Sequence, residues 1–166
     1  RLKAPDQRTV CLECHSDFEQ TLKKKYVHSA VAAGECASCH NPHVSSHAKL
    51  LSGDTAQICA SCHDSVVPAT AKSTHKVVSD GLCSKCHDPH ASDYPSNLIA
   101  KGNELCVSCH AAIGEAIAKA KFKHSPVEQG CLGCHAPHAS DQSVSLFKTA
   151  VPALCVKCHR PDSPSF

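Results

Sequence analysis

Every cysteine of this chain belongs to one short pattern. All 14 fall in C-x-x-C-H motifs, seven of them, with none left over. The motifs are Cys11, Cys14 and His15; Cys36, Cys39 and His40; Cys59, Cys62 and His63; Cys83, Cys86 and His87; Cys106, Cys109 and His110; Cys131, Cys134 and His135; and Cys155, Cys158 and His159. They recur at intervals of 23 to 25 residues along a chain of 166. Segments this short do not bury independent hydrophobic cores, because chains below ~40 residues normally need staples. Nor is one large core on offer. There is no Trp and no Met, with only two Tyr and four Phe, and large side chains normally dominate buried area. Something other than side chains must fill the interior.

The motif says what that is. C-x-x-C-H is the attachment signature of c-type haem. Two thiols add across the two vinyl groups of one porphyrin and form thioethers. Two intervening residues let a single helical turn present both sulfurs to one edge of the ring. The histidine that follows turns under the ring and gives an imidazole nitrogen to the iron. Other C-x-x-C chemistries fit less well. Zinc ribbons do not require a histidine after every second cysteine. Thioredoxin-type motifs occur singly in a βαβ context. A disulfide framework does not favour seven equal short spacings. The 14 cysteines therefore predict seven covalently attached haems c.

Seven further histidines remain: His28, His43, His47, His75, His90, His124 and His138. Seven irons and seven spare imidazoles balance if each iron takes two histidines. Without Met, the His/Met ligation that raises potential is impossible within the chain, so low potentials are expected.

The spare histidines repeat. His28, His75 and His124 each lie seven or eight residues before a motif, and His43, His90 and His138 each sit in C-H-x-P-H. A second motif closes each unit, at Cys59, Cys106 and Cys155. The chain thus reads as an N-terminal single-haem segment, 1–25, followed by two-haem repeats at 26–72, 73–120 and 121–166. His47 stands outside the pattern, since Tyr94 and Gln142 hold the equivalent places, and so does the motif at Cys11. These residues resemble the doubled C-x-x-C-H family of multihaem c-type cytochromes, with its C-x-x-C-H-x-P-H signature, from about Tyr26 to His159. The resemblance implies low-potential electron transfer in the periplasm or at the surface of a prokaryotic cell.

The expected fold is mainly short α-helices and irregular coil wrapped around a chain of haems, with little or no β-structure. Helix-like stretches run from Ala112 to Lys123, where Ile113 and Ile117 share a face and Glu115 pairs with Lys119, and from Asp17 to Lys25. After the second, fourth and sixth motifs, Pro-His followed by Ser, Asp and Gly reads as turns. The proline redirects the chain, which aims His43, His90 and His138 away from their own ring and toward a neighbour. Linear proximity then predicts His28, His75 and His124 on the irons at Cys36, Cys83 and Cys131. It predicts His43, His90 and His138 on those at Cys59, Cys106 and Cys155, and His47 on that at Cys11.

Charge narrows the partners. The formal net charge is +2, and the one basic run, Lys23–Lys25, lacks the aromatic platform or basic stripe of a nucleic-acid surface. With haem propionates and ferric cores added, the oxidised protein carries about −5 and the reduced protein about −12, so recognition by basic patches should depend on salt. No apolar stretch approaches the ~18 residues of a transmembrane helix. The polar start at Arg1 reads as a mature or trimmed form from which a leader is gone. Expected partners are redox proteins: other cytochromes, and quinol-oxidising or outer-membrane complexes. The alternative is self-assembly into an extracellular cytochrome filament. A multihaem reductase would need an iron with an open position, and the balanced ligand count and the absence of a substantial haem-free segment speak against one.

Overall fold

The structure is a computed structural model, and it describes residues 6–160 and 162. Helices are short and strands shorter. In chain order they are α1 (Gln7–Leu12), α2 (Phe18–Thr21), β1 (Tyr26–Val27), α3 (Ser29–Ala32), α4 (Thr55–Ala60), β2 (Ser73–Thr74) and α5 (Lys76–Ser79). Then follow β3 (Ala91–Ser92), α6 (Gly102–Val107), α7 (Ala111–Lys119), α8 (Ser125–Gln129), β4 (Ala139–Ser140) and α9 (Val151–Cys155). No helix among the described residues is long and apolar enough to cross a membrane.

The contacts divide the chain into two units. One comprises Arg1–Cys62 with Gly81–Lys101, and the other comprises His63–Asp80 with Gly102–Phe166. In the first unit β1 pairs antiparallel with β3, Tyr26 opposite Ser92 and Val27 opposite Ala91. In the second β2 pairs antiparallel with β4, Ser73 opposite Ser140 and Thr74 opposite Ala139. Each ladder joins a strand just before the spare histidine of one sequence repeat to a strand just after C-H-x-P-H of the next.

Two expected helices are shorter than their sequence patterns. The stretch from Asp17 is helical only over α2, because Lys24 and Lys25 are drawn to the second repeat. The Lys24 ammonium donates to the Ala91 carbonyl at 3.3 Å and lies 3.7 Å from Asp88, and the Lys25 N–H donates to Asp93 at 3.3 Å. The stretch from Ala112 keeps its Glu115–Lys119 pair, at 3.1 Å, but ends at Lys119. Ala120 takes extended geometry there (φ −68°, ψ 130°) and leads the chain toward His124.

The polypeptide buries little of itself. Among the described residues Ala91 is the only buried hydrophobic side chain, and Ser92 and Ser140 are the buried polar ones. The accessible surface is 12129 Å², against about 7,900 Å² for a compact chain of this mass. The side chains do not form the core, in keeping with a composition poor in large apolar residues.

Candidate haem-attachment and ligation site

All seven motifs close the same turn. The N–H of each second cysteine donates to the carbonyl of the first, at 3.2 to 3.3 Å. The histidine N–H returns to that same carbonyl in six motifs, for example His15 to Cys11 at 3.0 Å and His159 to Cys155 at 2.9 Å. One turn thus holds two thiols and an imidazole together, as sequence spacing predicted. None of the cysteines is in a disulfide.

The motifs come in two backbone settings. In those at Cys36, Cys83 and Cys131, a 3-10 turn runs from the first cysteine (Cys36–Ser38, Cys83–Lys85, Cys131–Gly133). In those at Cys11, Cys59, Cys106 and Cys155, the first cysteine lies in or at the end of an α-helix (α1, α4, α6, α9). The Cys11 motif, which stood outside the repeat by sequence, has the backbone of a repeat's closing motif.

Helix and 3-10 turn pack against one another. Gly81 precedes the Cys83 turn at φ +70°, and a Cβ there would lie 2.6 Å from the Ala56 Cβ of α4. Gly34 precedes the Cys36 turn at φ +78°, and its Cβ would lie 2.9 Å from the Arg8 Cβ of α1. Only glycine satisfies both demands. In the second unit, Asn103 of α6 accepts the Cys131 N–H at 2.9 Å and donates to the Val127 carbonyl at 3.2 Å. The packing sets thiols of neighbouring motifs face to face. Burial and the adjacent Cys83 push the Cys59 thiol up to about 11. Burial and Cys36 raise Cys11, and burial and Cys62 raise Cys39.

A second device holds the histidines of the 3-10 motifs. His40 Nδ1 lies 2.9 Å from the Lys49 carbonyl, His87 Nδ1 2.8 Å from that of Ser96, and His135 Nδ1 2.7 Å from that of Ser145. An imidazole nitrogen facing a carbonyl must donate, so the lone pair sits on Nε2, free for a metal. Each carbonyl is aimed by two successive residues at positive φ: Lys49–Leu50, Ser96–Asn97 and Ser145–Leu146. Non-glycine residues occupy this region at a cost of order 1–3 kcal/mol each, so surrounding contacts must impose it. A serine does so. Ser45, Ser92 and Ser140 donate to the carbonyls of Leu51, Leu98 and Phe147, and each accepts the N–H two residues on. These serines and turns are functional features that sequence reasoning missed. The serines had a signal, since each stands two residues after the histidine of C-H-x-P-H. The turns had none, because Lys-Leu, Ser-Asn and Ser-Leu share no turn signature.

Among the described residues histidine rings come together in pairs, three of which are as follows. His40 and His90 have ring centres 6.0 Å apart with planes 15° from parallel; His75 and His110 are at 6.1 Å and 18°; His124 and His159 are at 5.8 Å and 17°. Each pair joins one motif histidine to one spare histidine. Two imidazoles on opposite sides of one metal, with bonds of about 2 Å each, set ring centres roughly 6 Å apart. His75 Nδ1 faces the Pro137 carbonyl at 3.1 Å, which again leaves Nε2 available. Burial, outweighing the opposing Asp88 carboxylate, holds His90 below the usual imidazole range and so keeps it neutral, the form that binds metal.

These pairs are not those expected from linear proximity. His75 meets His110 instead of His87, His90 meets His40 instead of His110, and His124 meets His159 instead of His135. For His90 the reason lies in a ladder. Pairing β1 with β3 brings the C-H-x-P-H segment of the second repeat back onto the first, with the His28 N–H donating to the His90 carbonyl at 2.8 Å. Among the described residues His15, His43 and His47 make no ring contact with another histidine. His47 Nδ1 lies 3.5 Å from Asp54, and the ring of His135 lies 5.0 Å from that of Phe147.

The residues fit haem. An apolar hollow lined by Ala112, Ile113, Ala116, Ile117, Phe122 and His124 suits a flat apolar ring beneath His124. The thiol turns, the spaced imidazole pairs and the meagre side-chain core define a multihaem c-type cytochrome. The chain belongs to the doubled CXXCH motif family, whose matches at residues 28–68, 75–115 and 124–164 cover well over half of it. Haem c is therefore covalently bound along the repeats. The chain is also similar to multiheme cytochrome MtrA of Shewanella baltica (strain OS185), with 36% identity over 62 residues, which is 37% of this chain and 18% of that protein.

Proposed function

We propose that this chain is a heptahaem electron carrier of low potential, exported from the cytoplasm, in which every iron is held by two histidines. The carrying observation is the set of three imidazole pairs at 5.8 to 6.1 Å, each joining a C-x-x-C-H histidine to a spare one. Cysteines of all seven motifs attach the haems: Cys11 and Cys14, Cys36 and Cys39, Cys59 and Cys62, Cys83 and Cys86, Cys106 and Cys109, Cys131 and Cys134, Cys155 and Cys158. His28, His43, His47 and His138 serve the irons of His15, His63, His87 and His135 in this reading. The segments 1–25, 26–72, 73–120 and 121–166 carry one, two, two and two haems in this reading.

Bound haem c supplies a reversible one-electron couple between ferric and ferrous iron. The chain's own residues keep that change small. Two neutral imidazoles fill the coordination shell, and a carbonyl on Nδ1 of His40 and His75 fixes the tautomer and the ring orientation. Facing thiols at Cys11 and Cys36, Cys39 and Cys62, and Cys59 and Cys83 support close spacing of successive cofactors. Partners in this reading are other redox proteins, such as cytochromes or quinol-oxidising or outer-membrane complexes. Kinship with a multihaem cytochrome supports this and favours the periplasm or cell surface. Carriage is favoured over catalysis because seven spare histidines match seven motifs.

Potentiometric titration of the haem-loaded protein tests the proposal. The expected result is one broad reduction made of overlapping one-electron steps, at potentials below those of His/Met cytochromes. A single sharp step, or carbon monoxide binding at most irons, would overturn it.

A further inference from the structure

After each 3-10 motif the chain loops out and returns, and three successive carbonyls then face back toward the motif. In the first repeat the Lys49 carbonyl meets His40 Nδ1 at 2.9 Å, that of Leu50 accepts the Asn41 N–H at 2.7 Å, and that of Leu51 accepts the Ser45 hydroxyl. Ser96, Asn97 and Leu98 do the same for His87, Asp88 and Ser92, and Ser145, Leu146 and Phe147 for His135, Ala136 and Ser140. The third loop is one residue longer, since Ser140 and Phe147 are 7 apart where the other two pairs are 6 apart. The geometry survives that insertion. From the serine to the third carbonyl, only the serine itself is common to all three loops. Ser92 and Ser140 are buried, at 5% and 7% exposure. Other motifs lead elsewhere: the chain after His110 enters α7 directly.

We propose that Ser45, Ser92 and Ser140 are positioning residues that lower the reduction potential of the irons bound by His40, His87 and His135. A serine that holds the third carbonyl fixes the direction of the first. That first carbonyl accepts the Nδ1 proton in a hydrogen bond, which raises the basicity of the imidazole and the electron density that Nε2 offers the iron. Ferric iron gains more from this than ferrous iron, and hydrogen bonding behind an axial ligand is one of the means by which a protein sets a haem potential. The device falls on the first motif of each sequence repeat, so it acts on the irons at Cys36, Cys83 and Cys131. The proposal rests on the haem reading above.

Two measurements on the haem-loaded protein test this: a potentiometric titration followed through the NMR signals of individual haem methyls, and hydrogen exchange at histidine Nδ1 in the reduced state. In the wild type the Nδ1 protons of His40, His87 and His135 are expected to be protected. Ser45→Ala, at a partly exposed position, is expected to speed exchange at His40 and to move one step of the titration, that of the iron at Cys36, to higher potential. Ser45→Thr keeps a hydroxyl and is expected to keep both wild-type values. Ser46→Ala, at the exposed neighbouring serine, is expected to move neither. Haem content and carbon monoxide binding of the same samples test the haem reading itself, so its failure is distinguishable from that of the serines. Unprotected Nδ1 protons in the wild type, a Cys36 potential that stays or falls in Ser45→Ala, or an equal shift in Ser46→Ala would overturn the proposal.

Discussion

At the scale of single residues, glycines and serines matter as much as ligands. Gly81 combines φ +70° with an approach that leaves a Cβ 2.6 Å from Ala56. Gly81→Ala is expected to destabilise the holoprotein by about 1–3 kcal/mol, read as a lower urea midpoint at unchanged haem content; an unchanged midpoint would contradict the packing of α4 on the Cys83 turn. Ligand identity has its own test. His90→Ala is expected to open one iron to carbon monoxide. Removing the haem at Cys36 and Cys39 in that background should abolish the new binding, and removing the one at Cys106 and Cys109 should not. The reverse result would restore the pairing expected from linear order.

At the scale of elements, the recurring piece is the loop from a 3-10 motif to its positive-φ turn. Its strain is local and testable. Ser96 sits at φ 56°, and its carbonyl faces His87 Nδ1 at 2.8 Å. Ser96→Gly should keep that carbonyl in place and relieve the backbone, stabilising the protein by about 0.5–1 kcal/mol in thermal unfolding; destabilisation would show that the turn is held by its side chains. The sequence was informative here where chemistry is local. The single turn of each C-x-x-C-H, the apolar face of α7 and the rarity of β-structure could all be read from it. The helix ends could not, because Lys24 and Lys25 answer to Asp88, Ala91 and Asp93 more than sixty residues away. The ring contact of His90 was not legible for the same reason: the β1–β3 ladder brings it to His40 of the preceding repeat.

At the scale of the whole molecule, the described side chains bury too little to make a core, and the proposed reading gives that place to the cofactors. The sequence anticipated this by what it lacks, Trp and Met above all, and the polypeptide's large accessible surface agrees. Folding and haem attachment should therefore be inseparable, as they are where a bound group supplies the stabilisation. What no composition could announce is that the Cys11 motif shares the helical setting of the closing motifs, since that equivalence lies in backbone geometry and in the Gly34–Arg8 approach. The central claim is that all seven motifs are alike in what they bind. The intact mass of the mature protein measures this directly. The account predicts the polypeptide plus seven haems, with no free thiol left to alkylate. A mass with fewer haems and alkylatable cysteines at the remaining motifs would contradict it.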